Sequence, residues 1–227
     1  MAAIAGGIIG AALTAAVLFF AAPHFLGNRI VREAMLADPQ ILVDTADALR
    51  DKQYAPVLAE NRVALETPFG SSWRGAQKPE VVLVEFYDYA CPYCKASNPH
   101  IDRLLKENDD LRVVYRELPI LGPHSVTSAR LSLAASKAGK FNAFHEALYA
   151  AGRPSPETNA AAAQSVGIPA EPTQDPSIEA ELRRNFQLAG QLGATGTPLF
   201  VVGDRVLNGA VGYDTLKKAI ADARSKS

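Results

Sequence analysis

The sequence predicts an α/β domain over residues 81–227, preceded by an apolar helix and a short helical segment. Residues 81–87 are an almost continuous run of apolar, mostly β-branched residues, which is typical of a strand buried on both faces. A helical pattern follows, and residues 111–118 then form a second apolar run. Strand, helix and strand in this order predict a parallel βαβ unit.

The C-terminal half completes the predicted domain. Residues 119–194 are mostly helical in pattern, with breaks at glycine and at Ser-Pro and Asp-Pro pairs. Residues 199–202 and 205–209 then form two short strand patterns around a Gly-Asp turn, which predicts an antiparallel hairpin. A last amphipathic stretch, residues 213–223, predicts a closing helix.

Composition excludes several classes of protein. The formal net charge is −1, and a nucleic-acid-binding protein would need a strong basic excess. The chain has two cysteines, Cys91 and Cys94, which are too few for a disulfide-held scaffold or for a four-cysteine zinc or iron–sulfur site. The two thiols must therefore act as a pair.

The N-terminal segment, residues 1–27, is a predicted transmembrane anchor or signal segment. Residues 2–25 contain no Lys, Arg, Asp or Glu, and about 20 apolar residues suffice to cross the hydrocarbon core. An uncleaved anchor is favoured over a cleaved signal, because no basic residue precedes the run and a cut after Ala22 would have Phe20 at −3 and Pro23 directly after it. A buried core helix is disfavoured, since every face is apolar.

The orientation of such an anchor is ambiguous in the sequence. Arg29 and Arg32 follow the apolar run, and the positive-inside rule alone would place the rest of the chain in the cytoplasm. The thiol chemistry described below favours the opposite side, and we give it the greater weight.

Two segments connect the N-terminus to the α/β domain. Residues 28–66 predict two amphipathic helices with a break at Asp38-Pro39. So short a helix pair cannot bury its apolar stripe alone. It therefore either packs on the main domain, or separates that domain from the membrane, or associates with other copies into a homo-oligomer. Residues 67–80 predict a linker that contains a short edge strand, with Trp73 as a packing residue.

The cysteine pair lies between a predicted strand and a predicted helix. The first turn of a helix presents free amides and the positive end of the helix dipole, which favour a thiolate. Cys91 is therefore the predicted nucleophile, near the surface, and Cys94, one turn deeper, resolves the mixed disulfide. Pro92 suits the first helical position, and Tyr93 is expected to offer its hydroxyl to the thiolate.

The sequence predicts positions for two further ionisable side chains, Glu85 and His145. Glu85 is expected at a buried level beneath the thiols, where a carboxylate shuttles the proton of Cys94; the alternative is a solvated, inert glutamate at a strand edge. His145 is expected at the surface, because Phe141, Phe144 and Leu148 form the apolar face of its helix.

Other uses of the cysteines are disfavoured. The four histidines offer no second paired-ligand spacing, so no metal site is predicted. A purely structural disulfide across two residues would close a very small loop and constrain the unfolded chain little.

A third feature is Thr197-Pro198, just before the strand pattern at 199–202. A proline there costs a ladder hydrogen bond unless the backbone is unusual, which predicts a cis peptide bond. Such a bond would leave the backbone of Thr197 free to pair with a substrate chain lying across Cys91.

Two stretches, residues 85–95 and 196–201, resemble the DsbA-like thiol-disulfide oxidoreductases of the thioredoxin superfamily. The resemblance covers roughly residues 75–225 and implies a thioredoxin-like fold with a helical subdomain inserted at about 119–194. It also implies roles for single residues, namely Cys91 as nucleophile, Cys94 as resolving cysteine, Pro198 as cis-proline with Thr197 before it, and Glu85 at the position of a buried acid. Residues 28–66 are similar to the N-terminal region of ScsC-like and Com1-like members, some of which oligomerise through it.

The resemblance implies disulfide formation or isomerisation in exported proteins, in the bacterial cell envelope with the catalytic domain in the periplasm. Protein or peptide thiols and disulfides would be the substrates, no dissociable cofactor is needed, and a membrane partner of DsbB or DsbD type would reset the pair. The founding oxidase has Pro-His between its cysteines, whereas Pro92-Tyr93 lacks the histidine charge, which predicts a weaker oxidant. A threonine before the proline, here Thr197, is more similar to isomerase-type members of the family. The oxidase, isomerase and reductase roles therefore stay open.

Two alternatives use the same residues differently. A peptide-binding chaperone or assembly module would grip extended chains with incidental thiols. A glutathione-linked oxidoreductase is the other, since Cys-Pro-Tyr-Cys also occurs in glutaredoxins, although the apolar N-terminus argues against it.

Overall fold

A mixed five-stranded sheet organises the C-terminal part of the chain. The computed structural model describes residues 22–172 and 174–225, and the chain divides into two compact units, 1–49 and 50–227. The sheet lies in the second unit, with strand order β1-β3-β2-β4-β5. Its strands are β1 (Trp73–Gly75), β2 (Val81–Tyr87), β3 (Leu111–Glu117), β4 (Leu199–Val202) and β5 (Arg205–Asn208).

The helices flank and connect these strands. Two precede the sheet, α1 (Ala22–Ala37) and α2 (Gln40–Glu66), and α3 (Pro92–Glu107) joins β2 to β3. Four lie between β3 and β4, namely α4 (Pro123–Lys137), α5 (Phe141–Ala151), α6 (Pro156–Ser165) and α7 (Pro176–Gln191). The chain then ends in α8 (Gly212–Arg224).

The strand pairing confirms the α/β fold expected from the sequence. β2 and β3 are parallel, with Val81 beside Leu111, and α3 crosses between them, which is the predicted βαβ unit. β4 runs antiparallel to both β2 and β5, which confirms the hairpin. β1 is a three-residue edge strand, antiparallel to β3.

The predicted helical insertion is formed by α4 to α7. Gly139 separates α4 from α5 with a positive φ of 74°, a backbone conformation that glycine adopts without a steric penalty. Ser155 caps α6, and its side chain accepts the backbone N–H of Thr158. Asp175 caps α7 by accepting the N–H of Ser177 at 2.9 Å.

The two sides of the sheet carry separate cores. Odd-numbered residues of β2 and β3 face a core shared with α3, α4, α5 and α8. Even-numbered residues face a second core built with α7 and the C-terminal half of α2, through Leu58 and Leu65. Alternation along the strands thus buries both faces, as the continuous apolar run at 81–87 predicts.

Arg116 fastens the end of α2 to the sheet and to α7. Its side chain is buried on the even-numbered face of β3. The guanidinium forms an ion pair of 2.7 Å with Glu181 and a hydrogen bond of 3.0 Å with Asn185, both on α7. It also donates to three backbone carbonyls at the end of α2 and just beyond, those of Ala64, Leu65 and Thr67.

The helices before the sheet break where the sequence predicts. α1 ends at Ala37 and α2 begins at Gln40, whose N–H donates to the Asp38 carboxylate at 3.1 Å. In the first unit, large apolar side chains on these helices are exposed, among them Ile30, Val31, Leu36, Leu42 and Leu49.

The predicted membrane anchor or signal segment, residues 1–27, lies almost entirely outside the described residues. None of the described helices combines the length and apolar character that crossing a bilayer requires.

Candidate active site

Cys91 occupies the junction between β2 and α3. It is the N-cap residue of α3, with extended backbone angles (φ −82°, ψ 116°), and Pro92 takes the first helical position. The N–H of Cys91 donates to the carbonyl of Asp88 at 3.0 Å. Cys91 therefore stands at the start of the first helical turn, and its side chain makes no capping hydrogen bond.

The thiol of Cys91 is more covered than the sequence suggested. Only 4% of the residue is exposed, so the thiol, which was expected near the surface, is almost fully covered. The reason is the loop before β4: the Sγ–H of Cys91 donates to the carbonyl oxygen of Thr197 at 3.2 Å. Pro92 and Tyr93 beside it are exposed, which leaves the sulfur at the edge of the surface.

Cys94 lies one turn further along α3 and is fully buried, at 0% exposure. Burial raises the pKa of its thiol far above the ordinary value, and the negative charge of Glu85 raises it further. Both cysteines are free thiols. The pair thus combines a sulfur at the surface edge with one whose ionisation is costly.

Glu85 is buried in the core beneath the pair, so the alternative of a solvated strand-edge glutamate is wrong. It is centrally placed in the sheet, opposite Tyr115 on β3 and Phe200 on β4. Burial raises the pKa of its carboxyl well above the usual value, and the charge of Cys91 adds to this. Within the described residues, its Oε1 has no hydrogen-bond partner.

The Thr197–Pro198 peptide bond is cis, as the sequence predicts. The Pro198 carbonyl accepts the N–H of Gly209 at 2.8 Å. The Thr197 carbonyl, expected to be free for a substrate, is instead engaged by Cys91. A thiol is a weak donor, so a substrate amide can replace it without a large loss.

Tyr93 stands apart from the thiols. It is 64% exposed, and its carbonyl accepts the hydroxyl of Ser97 at 2.9 Å. Its hydroxyl was expected to contact the Cys91 thiolate, whereas the contact recorded for the Cys91 sulfur is the Thr197 carbonyl.

Asp88 is a site residue that the sequence reasoning missed. Its carboxylate is buried and accepts three backbone N–H groups, those of Ala90 at 2.8 Å and of Ile120 and Leu121 at 2.9 Å each. The signal was present, because an aspartate two residues before a turn amide favours such a bond. Its partners across the chain could not be read from the pattern.

His145 was predicted at the surface, and this is wrong. It is buried on α5 within a cage of aromatic rings whose centroids lie 4.8–5.5 Å from its own, contributed by Tyr87, Tyr89, Tyr115, Phe141 and Tyr149. Its Nδ1 lies 3.2 Å from the Tyr89 hydroxyl. Burial lowers its pKa to about 3, which keeps the ring neutral near neutral pH.

A second buried acid, Glu117, was also missed. It accepts a hydrogen bond from the Tyr87 hydroxyl, which lies 3.1 Å from the Tyr89 hydroxyl. Burial raises the pKa of Glu117 well above its usual value. Glu85 and Glu117 lie on the same face of neighbouring strands, so the core beneath the thiols holds two carboxyl groups whose charged forms are disfavoured.

Comparison with known proteins identifies relatives of this arrangement. Residues 82–221 match the family described as the DSBA-like thioredoxin domain. A thioredoxin-like oxidoreductase of Silicibacter pomeroyi is 35% identical, with a TM-score of 0.67 over 74% of this chain and 99% of that one. A periplasmic thioredoxin-like protein of Salmonella enterica serovar Typhimurium is 32% identical, with a TM-score of 0.66 over 72% and 95%.

The catalytic domain of Proteus mirabilis ScsC is 29% identical, with a TM-score of 0.69 over 75% of this chain and 98% of that domain. This supports the resemblance to ScsC-like proteins.

Matched curated proteins are much longer. The Na(+)/H(+) antiporter NhaA 1 of Salinispora arenicola is 27% identical over 157 residues, 66% of this chain and 24% of the antiporter. The chain thus spans about a quarter of the length of the curated relatives that it matches first. Because the family match covers more than half of the chain, including both cysteines and the Thr197–Pro198 loop, the chain belongs to the DSBA-like thioredoxin domain family.

Proposed function

We propose that this chain catalyses thiol–disulfide exchange in exported proteins, through Cys91 as nucleophile and Cys94 as resolving cysteine. The observation that carries the proposal is the placement of Cys91 at the N-cap of α3, with its sulfur 3.2 Å from the Thr197 carbonyl. The N-terminus of a helix is a position where cysteines commonly act as nucleophiles. The adjacent backbone of Thr197, with Pro198, offers an extended substrate a strand-like partner.

In the oxidising direction, a substrate thiolate attacks Sγ of Cys91 in the Cys91–Cys94 disulfide. The bond between the two protein sulfurs breaks, and Cys94 leaves as a thiolate. A second substrate thiolate then attacks the substrate sulfur of the mixed disulfide, which forms the substrate disulfide and releases Cys91 as a thiolate. Two electrons pass from substrate to protein.

Glu85 supplies the proton for the first of these steps. Burial raises the pKa of Glu85, which favours its protonated form before exchange begins. Cys94 leaves as an anion in a dry environment where its own pKa is raised, so it takes up this proton. A protonated Glu85 therefore favours disulfide donation, since the reverse reaction needs it ionised.

The proposed setting is the cell envelope, with the catalytic domain in the periplasm. The periplasmic Salmonella relative supports this location. A membrane redox partner of DsbB or DsbD type would reset the pair, and residues 1–27 would anchor the chain. Self-association through residues 28–66 is supported by the exposed apolar side chains between Ile30 and Leu49.

Trapping the mixed disulfide tests the proposal. Reduced Cys94→Ser protein, incubated with a disulfide-containing peptide, is expected to accumulate a covalent adduct, because Cys91 attacks and no second thiol resolves the product. Wild-type protein is expected to release the peptide as a dithiol. Non-reducing electrophoresis and mass spectrometry measure the adduct. Absence of a Cys91-linked adduct would contradict the proposal.

Replacing Glu85 with glutamine is expected to slow exchange and stabilise the fold. Loss of an internal acid is expected to slow peptide oxidation on the order of 10²-fold. The pKa of Glu85 is higher in the folded chain than its value of about 4.5 in the unfolded chain. Above about pH 4.5 the folded state therefore binds more protons than the unfolded state, so the free energy of unfolding falls as pH rises. Glu85→Gln removes this pH-dependent loss, and the free energy of unfolding is expected to rise by about 0.5–2 kcal/mol.

Thermal unfolding between pH 4 and pH 8 measures the second effect. The gain of Glu85→Gln over wild type is expected at pH 8 and should vanish near pH 4. Glu146→Gln, at an exposed position on α5, is the matched control. An equal gain at both pH values would refute a raised pKa for Glu85.

A further inference from the structure

The buried carboxylate of Asp88 joins the loop that carries Cys91 to the loop that leads into the helical insertion. On one side, Oδ1 accepts the N–H of Ala90 at 2.8 Å. On the other, Oδ2 accepts the N–H groups of Ile120 and Leu121, at 2.9 Å each. Both oxygens of the side chain thus act as acceptors, for three backbone amides in all.

The backbone of Asp88 is tied to the same two loops. Its carbonyl accepts the N–H of Cys91 at 3.0 Å, which closes a four-residue turn with Cα atoms of its ends less than about 7 Å apart. Directly before it, the carbonyl of Tyr87 accepts the N–H of Leu118 at 2.8 Å. The position of Cys91 at the helix N-terminus is therefore held by bonds to the two consecutive residues Tyr87 and Asp88.

The charge of Asp88 has a second consequence. Asp88 precedes Cys91 by three residues and its carbonyl accepts the Cys91 N–H at 3.0 Å, and a negative charge so near a thiol opposes formation of a thiolate. In the disulfide form there is no thiolate to oppose. The negative charge therefore destabilises the reduced state of the pair relative to the disulfide. The pair is then a weaker oxidant than it would be at the same helix position without the charge.

We propose that Asp88 is a positioning residue for Cys91 which clamps the redox loop to residues 120–121 and restrains the oxidising power of the Cys91–Cys94 pair. The inference rests on the proposed function in taking Cys91 as the nucleophile. It goes beyond that function by assigning the adjustment of the redox equilibrium to the charge of Asp88.

Asp88→Asn tests both parts of this role, the effect of the charge on the redox equilibrium and the hydrogen bonds to residues 120–121. Asparagine has nearly the size of aspartate but no charge, and its NH₂ group places a donor against one of the backbone N–H groups that the carboxylate accepts. The equilibrium of the Asp88→Asn protein with reduced and oxidised glutathione is expected to shift toward the dithiol about 3- to 10-fold. The reduction potential would then be about 15–30 mV more oxidising, since a tenfold shift corresponds to about 30 mV for two electrons. Hydrogen exchange at Ile120 and Leu121 is expected to accelerate, as their amides lose an acceptor.

Three variants complete the experiment on the full chain. Asp88→Glu retains the charge and is expected to keep the equilibrium within about twofold of wild type. Asp109→Asn is the matched control, because Asp109 is exposed beyond the far end of α3, about 24 Å from its N-terminus. Asp88→Ser, whose hydroxyl can still accept the Ala90 amide, makes the same charge change should Asp88→Asn fail to fold.

The outcomes distinguish this inference from the proposed function. Wild-type protein that does not exchange with glutathione would overturn the proposed function itself. If wild type exchanges, an Asp88→Asn equilibrium that is unchanged or shifted toward the disulfide overturns the role of Asp88. An equal shift in Asp88→Glu, or unchanged amide exchange at Ile120 and Leu121, overturns it as well.

Discussion

Cys91→Ser is expected to reduce peptide oxidation to the uncatalysed background, a loss of at least about 10³-fold, as found when an enzyme loses its nucleophile. A serine hydroxyl forms no disulfide and cannot accept the two electrons. Cys94 does not replace the lost thiol, because it is fully buried and burial raises its pKa. Oxidation of a two-cysteine peptide, followed by alkylation of its free thiols, measures the loss.

The fold is expected to survive this substitution. A serine hydroxyl can still donate to the Thr197 carbonyl, which now accepts the Cys91 thiol at 3.2 Å. The melting temperature of Cys91→Ser should therefore stay close to that of the reduced wild-type protein. Residual oxidation above background in a folded Cys91→Ser protein would show that Cys91 is not the nucleophile.

Arg116→Met is expected to cause a large loss of stability, about 3–5 kcal/mol. The methionine would leave the Glu181 carboxylate buried without its cation, and three backbone carbonyls at and beyond the end of α2 would lose a donor. For a domain of this size, the loss corresponds to a fall in melting temperature of roughly 6–20 °C. Thermal unfolding followed by circular dichroism measures it.

A matched surface pair provides the control for Arg116. Arg130 forms a 2.6 Å ion pair with Glu179, but both side chains are more than a third exposed, and such pairs contribute about 0–1 kcal/mol. Arg130→Met should therefore be nearly neutral. The double variant Arg116→Met/Glu181→Leu should recover part of the loss, because it removes the unpaired charge. Equal effects of Arg116→Met and Arg130→Met would contradict the interpretation.

The sequence predicted the elements whose signals are local. The β-branched run at 81–87 is a buried strand, the helix break falls at Asp38-Pro39, and Cys91 caps a helix that begins at Pro92. Each depends on neighbouring residues alone, through periodicity, proline geometry or capping. The cis bond before β4 also has a local cause, since Pro198 directly precedes a buried strand.

The features that were missed depend on partners distant in the chain. His145 was taken as a surface residue, yet it shares a face of α5 with Phe141 and Tyr149, and its burial is possible because Tyr89 supplies a hydroxyl from the β2–α3 loop. Polar residues count as exposed in a periodicity analysis, whereas a hydrogen-bond partner makes burial tolerable. The coverage of Cys91 has a similar origin, because the Thr197 loop arrives from 106 residues away.

The strands at the margins of the sheet are short, which bears on the tendency of this fold to aggregate. β1 has three residues and β5 has four, so each outer margin exposes few unpaired backbone groups. Long, regular margins act as templates on which unfolded chains stack into fibrils. Under the proposed function, extended substrate chains would be held at the redox loop without being recruited into a growing sheet at either margin.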